Sequence, residues 1–125
     1  MQDLKPPLIA VVDDDDSFRE ALADLLSYAR FQTEGFCSAE EALESGSLDA
    51  YDAFLLDVQM PGVDGLELLE RLRAIGIKAP AIFLTSHTDP ATRQRAFGCG
   101  ALALFSKPFD TEELIGLMHR TLPAA

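Results

Sequence analysis

The chain has 125 residues, with 10 Lys and Arg against 21 Asp and Glu, a formal net charge of −11 and a pI near 4.4. At 48% hydrophobic and 25% charged residues, its composition is that of one globular domain and excludes the fibrous and disordered classes. So acidic a chain repels phosphate backbones, which argues against direct nucleic acid binding.

Leu8–Val12 is a continuous apolar run rich in β-branched residues, bounded by Pro7 and Asp13–Asp16, and reads as a first strand buried on both faces. Phe18, Leu22, Leu25, Leu26 and Ala29 then recur at helical spacing, and Ser17 with Glu20 offers a capping box for a first helix. Gln32–Cys37 is a weaker second strand, and Ser38 with Glu41 opens a short helix through Leu43. A third strand lies within Tyr51–Val58. Asp64 and Glu67 repeat the capping pattern before Leu66, Leu69, Leu72 and Ile75, and Gly76 ends that helix. Ala81–Thr85 is the fourth strand, after which Asp89-Pro90 supplies an N-cap and a first-turn proline to a helix closed by Gly98 and Gly100. Ala101–Phe105 is the fifth strand. The last helix starts near Asp110 or Thr111, turns Leu114, Ile115, Leu117, Met118 and Leu122 inward and stops at Pro123. Phe97, Met118 and the leucines read as core. Cys37 and Cys99 have no partner at metal spacing and read as buried, reduced thiols.

The longest apolar stretches, Leu8–Val12, Ala79–Leu84 and Ala101–Phe105, fall short of the roughly 18 residues a membrane helix needs. The first residues lack the length and cleavage site of a signal peptide, so a cytoplasmic address is expected. No linker or repeat interrupts the chain, and residues 1–125 are expected to form a single domain. Alternating strands and helices with near-continuous apolar strands predict an α/β fold, a doubly wound five-stranded parallel sheet. At this size the flavodoxin-like strand order 2-1-3-4-5 is expected, with a ligand crevice at the carboxyl ends of strands one and three.

The residues falling at those strand ends are Asp13 and Asp14, Asp57, Thr85 and Lys107. Carboxylates gathered without a cation repel one another, so a hard, oxygen-loving ion is the natural balance, and Mg²⁺ with its octahedral oxygen preference leaves positions for a phosphate oxygen. Asp57, on the rigid end of Phe54-Leu55-Leu56, is the candidate nucleophile, because carboxylates form aspartyl phosphates when a metal and a cation neutralise charge. Lys107, held extended by the following Pro108, can supply that cation, and Thr85 can hydrogen-bond a phosphoryl oxygen.

Across nearly the whole chain, the sequence resembles a response-regulator receiver domain of the CheY-like superfamily, and most of all its FixJ-type subgroup. The matching pieces are Val11-Val12-Asp13-Asp14-Asp15-Asp16, Leu56-Asp57-Val58-Gln59-Met60-Pro61-Gly62-Val63-Asp64-Gly65, Leu84-Thr85-Ser86 and Ser106-Lys107-Pro108-Phe109. The resemblance implies that Asp57 accepts a phosphoryl group from a sensor histidine kinase or phosphotransfer protein. It also implies that Asp14, Asp57 and the Gln59 backbone carbonyl ligate Mg²⁺, with Asp13 acting through water. The Thr85 hydroxyl would swing toward the phosphoryl group and change a partner-binding face built from helix four, strand five and helix five. One departure stands out: the Tyr or Phe that receivers often carry three residues before the site Lys is here Leu104, which predicts a modified output. Phe105 lies next door, but strand alternation points it to the other face of the sheet. Gln59 and His87 occupy positions that influence phosphoryl lifetime in receivers.

Asp15 and Asp16 belong at the start of the first helix, where negative charge is favourable, rather than on a metal. His87 reads as a loop histidine and His119 as helix surface, while Arg93 and Arg95 are equally readable as solvated charge or as contacts for an acidic partner. The unmodified chain is expected to be a monomer that associates weakly once phosphorylated, acting as a stand-alone receiver or as part of a transcriptional regulator, without turnover as an enzyme beyond its own phosphotransfer and dephosphorylation. The alternative is a Mg²⁺-dependent phosphatase of haloacid-dehalogenase type, which would need a general acid Asp where this chain has Gln59. A flavodoxin-like FMN site is opposed by the carboxylates of Asp13–Asp16.

Overall fold

Five strands alternate with five helices: β1 (Leu8–Val12), α1 (Asp16–Tyr28), β2 (Gln32–Phe36), α2 (Ala39–Glu44), β3 (Ala53–Leu56), α3 (Gly65–Ala74), β4 (Ala81–Thr85), α4 (Pro90–Gly98), β5 (Ala103–Ser106) and α5 (Thr111–Thr121). A turn of 3-10 helix at Leu48–Ala50, which carries no periodic pattern, precedes β3. The computed structural model describes residues 5–122, and Pro123, expected to stop the last helix, lies outside the described residues. All strand pairs are parallel and the order is β2-β1-β3-β4-β5, the doubly wound arrangement expected from the alternation.

Strand alternation divides the interior into two layers. Ala10 and Val12 of β1, Phe54 and Leu56 of β3 and Phe83 of β4 join α2, α3 and α4 through Ala39, Leu69, Leu72 and Ala96. Ile9, Val11, Leu55, Ile82 and Leu84 face the other way, onto Leu22 and Leu26 of α1 and Leu114 and Met118 of α5. β1, β3 and β4 are buried on both faces, which accounts for their unbroken apolar sequences. Leu104 belongs to the first layer and Phe105 packs against the second, as alternation requires.

Side-chain caps set the starts of the helices, because each leaves orphan N–H groups in its first turn. Ser38, Asp64, Asp89 and Asp110 cap α2, α3, α4 and α5 as read from the sequence. The first helix differs: Asp15, not Ser17, is its N-cap, accepting from the Phe18 N–H at 3.1 Å. The chain turns into the helix directly after the Asp13-Asp14 corner, and this leaves Ser17 inside the first turn. Strand five begins at Ala103 rather than Ala101, because Gly100, at φ 93°, turns the chain before it can enter the sheet.

Four burial expectations fail. Leu102, among the leucines read as core, is 42% exposed because it lies between the Gly100 turn and the first residue of β5. Cys37 is exposed and Cys99 half-buried, because Cys37 lies just past the end of edge strand β2, where no further layer covers it, and Cys99 is the C-cap of α4. Phe97 is 44% exposed: α4 is short and polar, and it turns only Ala96 fully inward. Ile75 is 62% exposed because it is the C-cap of α3, past the last inward turn. Among the described residues, no helix is long and apolar enough to cross a membrane.

Candidate functional site

The strand order places the carboxyl ends of β1 and β3 side by side, and the residues just beyond them continue the ladder: the Asp57 N–H donates to the Val12 carbonyl at 3.0 Å and the Asp13 N–H to Phe36 at 3.1 Å. These backbone bonds hold both carboxylates at the rim of a rigid sheet. Asp13, Asp14 and Asp57 each offer a carboxylate oxygen within 4.8 Å of the others. From the far side of β4, Lys107 reaches in and donates to Asp13 Oδ2 at 2.7 Å and Asp57 Oδ2 at 3.3 Å. Its backbone N–H bonds the Thr85 carbonyl at 2.8 Å, tying the loop after β5 to the end of β4, and the Lys107–Pro108 peptide is cis. Thr85 is fully buried, and its hydroxyl oxygen accepts from the His87 N–H at 3.0 Å. Thus the structure brings together Asp13, Asp14, Asp57, Thr85 and Lys107. The Gln59 backbone adjoins them, donating its N–H to Asp57 Oδ1 at 3.3 Å.

Three carboxylates against one ammonium leave an excess of negative charge in a partly desolvated corner. Burial pushes the Asp13 carboxyl above its usual value, only partly opposed by the hydrogen bond from Lys107 and by the Asp15 N–H. Burial pulls the Lys107 ammonium down, but the hydrogen bond and charge of Asp13, with Asp57 behind it, outweigh that and hold it above the ordinary lysine value. The all-oxygen donor set fits a small hard cation such as Mg²⁺ and fits a soft or nitrogen-preferring ion poorly.

The bracing around Asp13 leaves no mark in the sequence pattern. Its carboxylate accepts from the Asp15 N–H at 2.9 Å, and its carbonyl accepts from Arg19 Nη1 at 2.7 Å, while Arg19 Nη2 bonds Asp16 at 2.6 Å. Gly35 makes room for this arm, since a Cβ there would lie 3.0 Å from Arg19 Cδ. Opposite, Glu40 of α2 accepts from the Val63 N–H at 3.2 Å and steadies the loop that follows Asp57. Spacing along the chain carries no signal for either contact. His87 lies exposed in a loop and His119 exposed on α5, stacked on Phe31 at 4.8 Å. Arg95 pairs with Glu70 at 3.2 Å, and Arg93 sits over Phe97 at 5.8 Å.

Removing the cation tests these electrostatics. Lys107→Met leaves the Asp13 carboxylate, 3% exposed, without its ion-pair partner. A stability loss of about 2 kcal/mol near neutrality is expected, below the range for fully buried pairs because Lys107 is partly exposed. The sign of its pH dependence follows from Asp13, whose folded pKa is raised. The penalty of burying the charged form is present above that folded value and fades as pH falls toward the unfolded value of about 3.9. Urea melts in EDTA near neutrality and at pH about 4 should therefore show the variant converging on the wild type in acid; a gap independent of pH would refute this account.

Residues 9–119 match the family described as "Response regulator receiver domain". Among curated proteins, the chain is 35% identical over 118 residues to response regulator protein TodT of Pseudomonas putida, covering 94% of this chain and 52% of TodT. It is 40% identical over 114 residues to response regulator MprA of Mycobacterium ulcerans, covering 91% and 49%. The chain thus spans about half the length of these relatives. Among solved structures, a response regulator receiver protein from Pseudomonas putida superposes with a TM-score of 0.87 at 28% identity, covering 94% of this chain and 98% of the other.

Proposed function

The chain belongs to the response regulator receiver domain family of two-component signalling, and from that premise we propose that Asp57 is its phosphoacceptor, taking a phosphoryl group from a sensor histidine kinase or phosphotransfer protein. The observation that carries this reading is the meeting of Asp57 with Asp13, Asp14 and Lys107 at the carboxyl ends of β1 and β3. An Asp57 carboxylate oxygen forms the new O–P bond as the donor's P–N bond breaks and its electron pair leaves on the imidazole. Lys107 already holds an N–H on the nucleophile's Oδ2, so a small shift gives that N–H to a phosphoryl oxygen. Thr85 accepts from the His87 N–H, which leaves its own hydroxyl proton free to donate toward the phosphoryl group. Asp14, Asp57 and the Gln59 carbonyl would hold Mg²⁺, with Asp13 acting through water. The ion supplies neutralisation of charge on the transferring oxygens.

In this reading residues 1–125 are one receiver module. Its output is a changed affinity of the α4-β5-α5 face for a partner, with a monomer before phosphorylation and a weak dimer after it, in the cytoplasm. Leu104, buried in the layer beneath α4, replaces an aromatic that could alternate between buried and exposed positions, so the face would change without a ring flip. The comparisons lend the phosphatase alternative no support, and Gln59 lacks the carboxylic acid that such an enzyme needs to protonate its leaving group.

Intact mass spectrometry after incubation with acetyl phosphate tests the reading. A single phosphoryl adduct should form with Mg²⁺ and fail to form with EDTA, and borohydride reduction with peptide mapping should locate it at Asp57. An unmodified, folded protein in Mg²⁺ would refute the phosphoacceptor role.

A further inference from the structure

Resting on that reading, we infer that Phe18 is a positioning residue for Lys107: its ring is the third wall of the ammonium's seat and keeps the Lys107 N–H groups aimed at Asp13 and Asp57. The ammonium nitrogen lies 3.9 Å from the ring centroid, well inside the range of cation–π attraction. An ammonium has three N–H groups. Asp13 Oδ2 takes one at 2.7 Å and Asp57 Oδ2 a second at 3.3 Å, which leaves the third for the ring face.

The ring is itself held from two sides. Its backbone N–H is bonded by the N-cap Asp15 at 3.1 Å, so the loop that carries Asp13 and Asp14 also sets where the ring stands. Phe109, two residues past Lys107, packs edge-on against it with centroids 6.2 Å apart and planes at 76°, and Phe105 follows at 6.4 Å from Phe109. The Lys107 side chain is 20% exposed, so a bare aliphatic group in place of the ring would admit water to the ammonium. Hydration would let the four-carbon stem sample rotamers pointing away from the acidic cluster. Helical spacing makes Phe18 an ordinary member of α1's apolar stripe. Only the fold, which carries residue 107 across β4 and β3 to the start of α1, turns its ring into part of the site.

The test uses acetyl phosphate and Mg²⁺ with the full chain. Phe18→Leu should keep the fold yet lower the phosphorylation rate about three- to tenfold. Phe18→Tyr, which keeps the π face, should restore the rate to within about twofold. Mono-, di- and trifluorophenylalanine at position 18 preserve the shape while draining the ring face of negative potential, so the rate should fall stepwise with each fluorine; a packing role would leave that series flat. In proton–carbon spectra the Lys107 ε-methylene protons should be shifted upfield by the ring current, and the shift should vanish in Phe18→Leu. A flat fluorine series, or a Phe18→Leu rate equal to wild type, overturns the positioning role. A wild type that takes no phosphoryl group overturns the phosphoacceptor reading instead, and the upfield shift then decides by itself whether the ring seats the ammonium.

Discussion

Asp57→Asn should take up no phosphoryl group under conditions that convert the wild type, a fall in rate of about a thousandfold or more. The amide is close in shape to the carboxylate, and its oxygen can still accept the Gln59 N–H that now bonds Asp57 Oδ1 at 3.3 Å. What it lacks is an anionic oxygen to attack phosphorus and to help hold a divalent cation, as the proposed role requires. The fold should survive, because Asp57 is only partly buried and losing its charge relieves repulsion within a cluster of three carboxylates. Melting within about 1 kcal/mol of wild type is expected. Intact mass spectrometry on the folded variant checks the result, and an adduct that persisted would move the acceptor to Asp13 or Asp14.

The second large effect is expected from a methyl group. Gly65 opens α3, its N–H bonds the Val58 carbonyl at 2.8 Å, and a Cβ built on it would fall inside the shell of Asp57's own carbonyl, with Phe83 Cε1 next at 3.2 Å. The nearest atoms are backbone at the carboxyl end of β3 and cannot swing aside as a flexible side chain would. Gly65→Ala must therefore push α3 away or move Asp57. Overpacking of this kind should cost about 3 kcal/mol, and a displacement of the nucleophile should slow phosphorylation about a hundredfold. Gly116→Ala in α5 is the counterpart, since its added methyl meets only the far end of Arg120 at 3.3 Å. There the same change should stabilise by about 0.5–1 kcal/mol through helix propensity and leave the rate unchanged. Urea melts and acetyl phosphate kinetics on the two variants should diverge in opposite directions; a Gly65→Ala protein with wild-type stability and rate would show that the loop after β3 yields freely.

The strands and four of the five helix caps were legible because their causes are local. A strand buried on both faces must be continuously apolar, as β1, β3 and β4 are, and Ser or Asp before a helix shows itself by its place. Asp57, Thr85 and Lys107 could be placed in one crevice because a doubly wound sheet gathers strand ends, and the receiver resemblance then specified their roles. The misreadings share a different origin. Residue type or spacing along the chain would bury Phe97, Ile75 and Cys37, whereas their burial depends on whether another layer covers the end of an element. The braces of the site, Arg19 on the Asp13 carbonyl, Glu40 on the Val63 N–H and Phe18 over Lys107, are contacts whose meeting only the three-dimensional path decides. No periodicity encodes them.

The ion pair between Lys107 and Asp13 joins positions 94 residues apart in sequence. During synthesis, at about 5–20 residues per second, the acidic pair therefore emerges several seconds before the cation that offsets it. Until β5 docks at the edge of the sheet, the corner holds aspartates that repel one another, and no lysine stands ready to meet an incoming phosphoryl oxygen. On the proposed reading, competence to be phosphorylated would therefore wait on the strand that completes the sheet. A nascent copy would carry the Asp57 carboxylate without the Lys107 ammonium beside it, so phosphorylation would favour finished molecules.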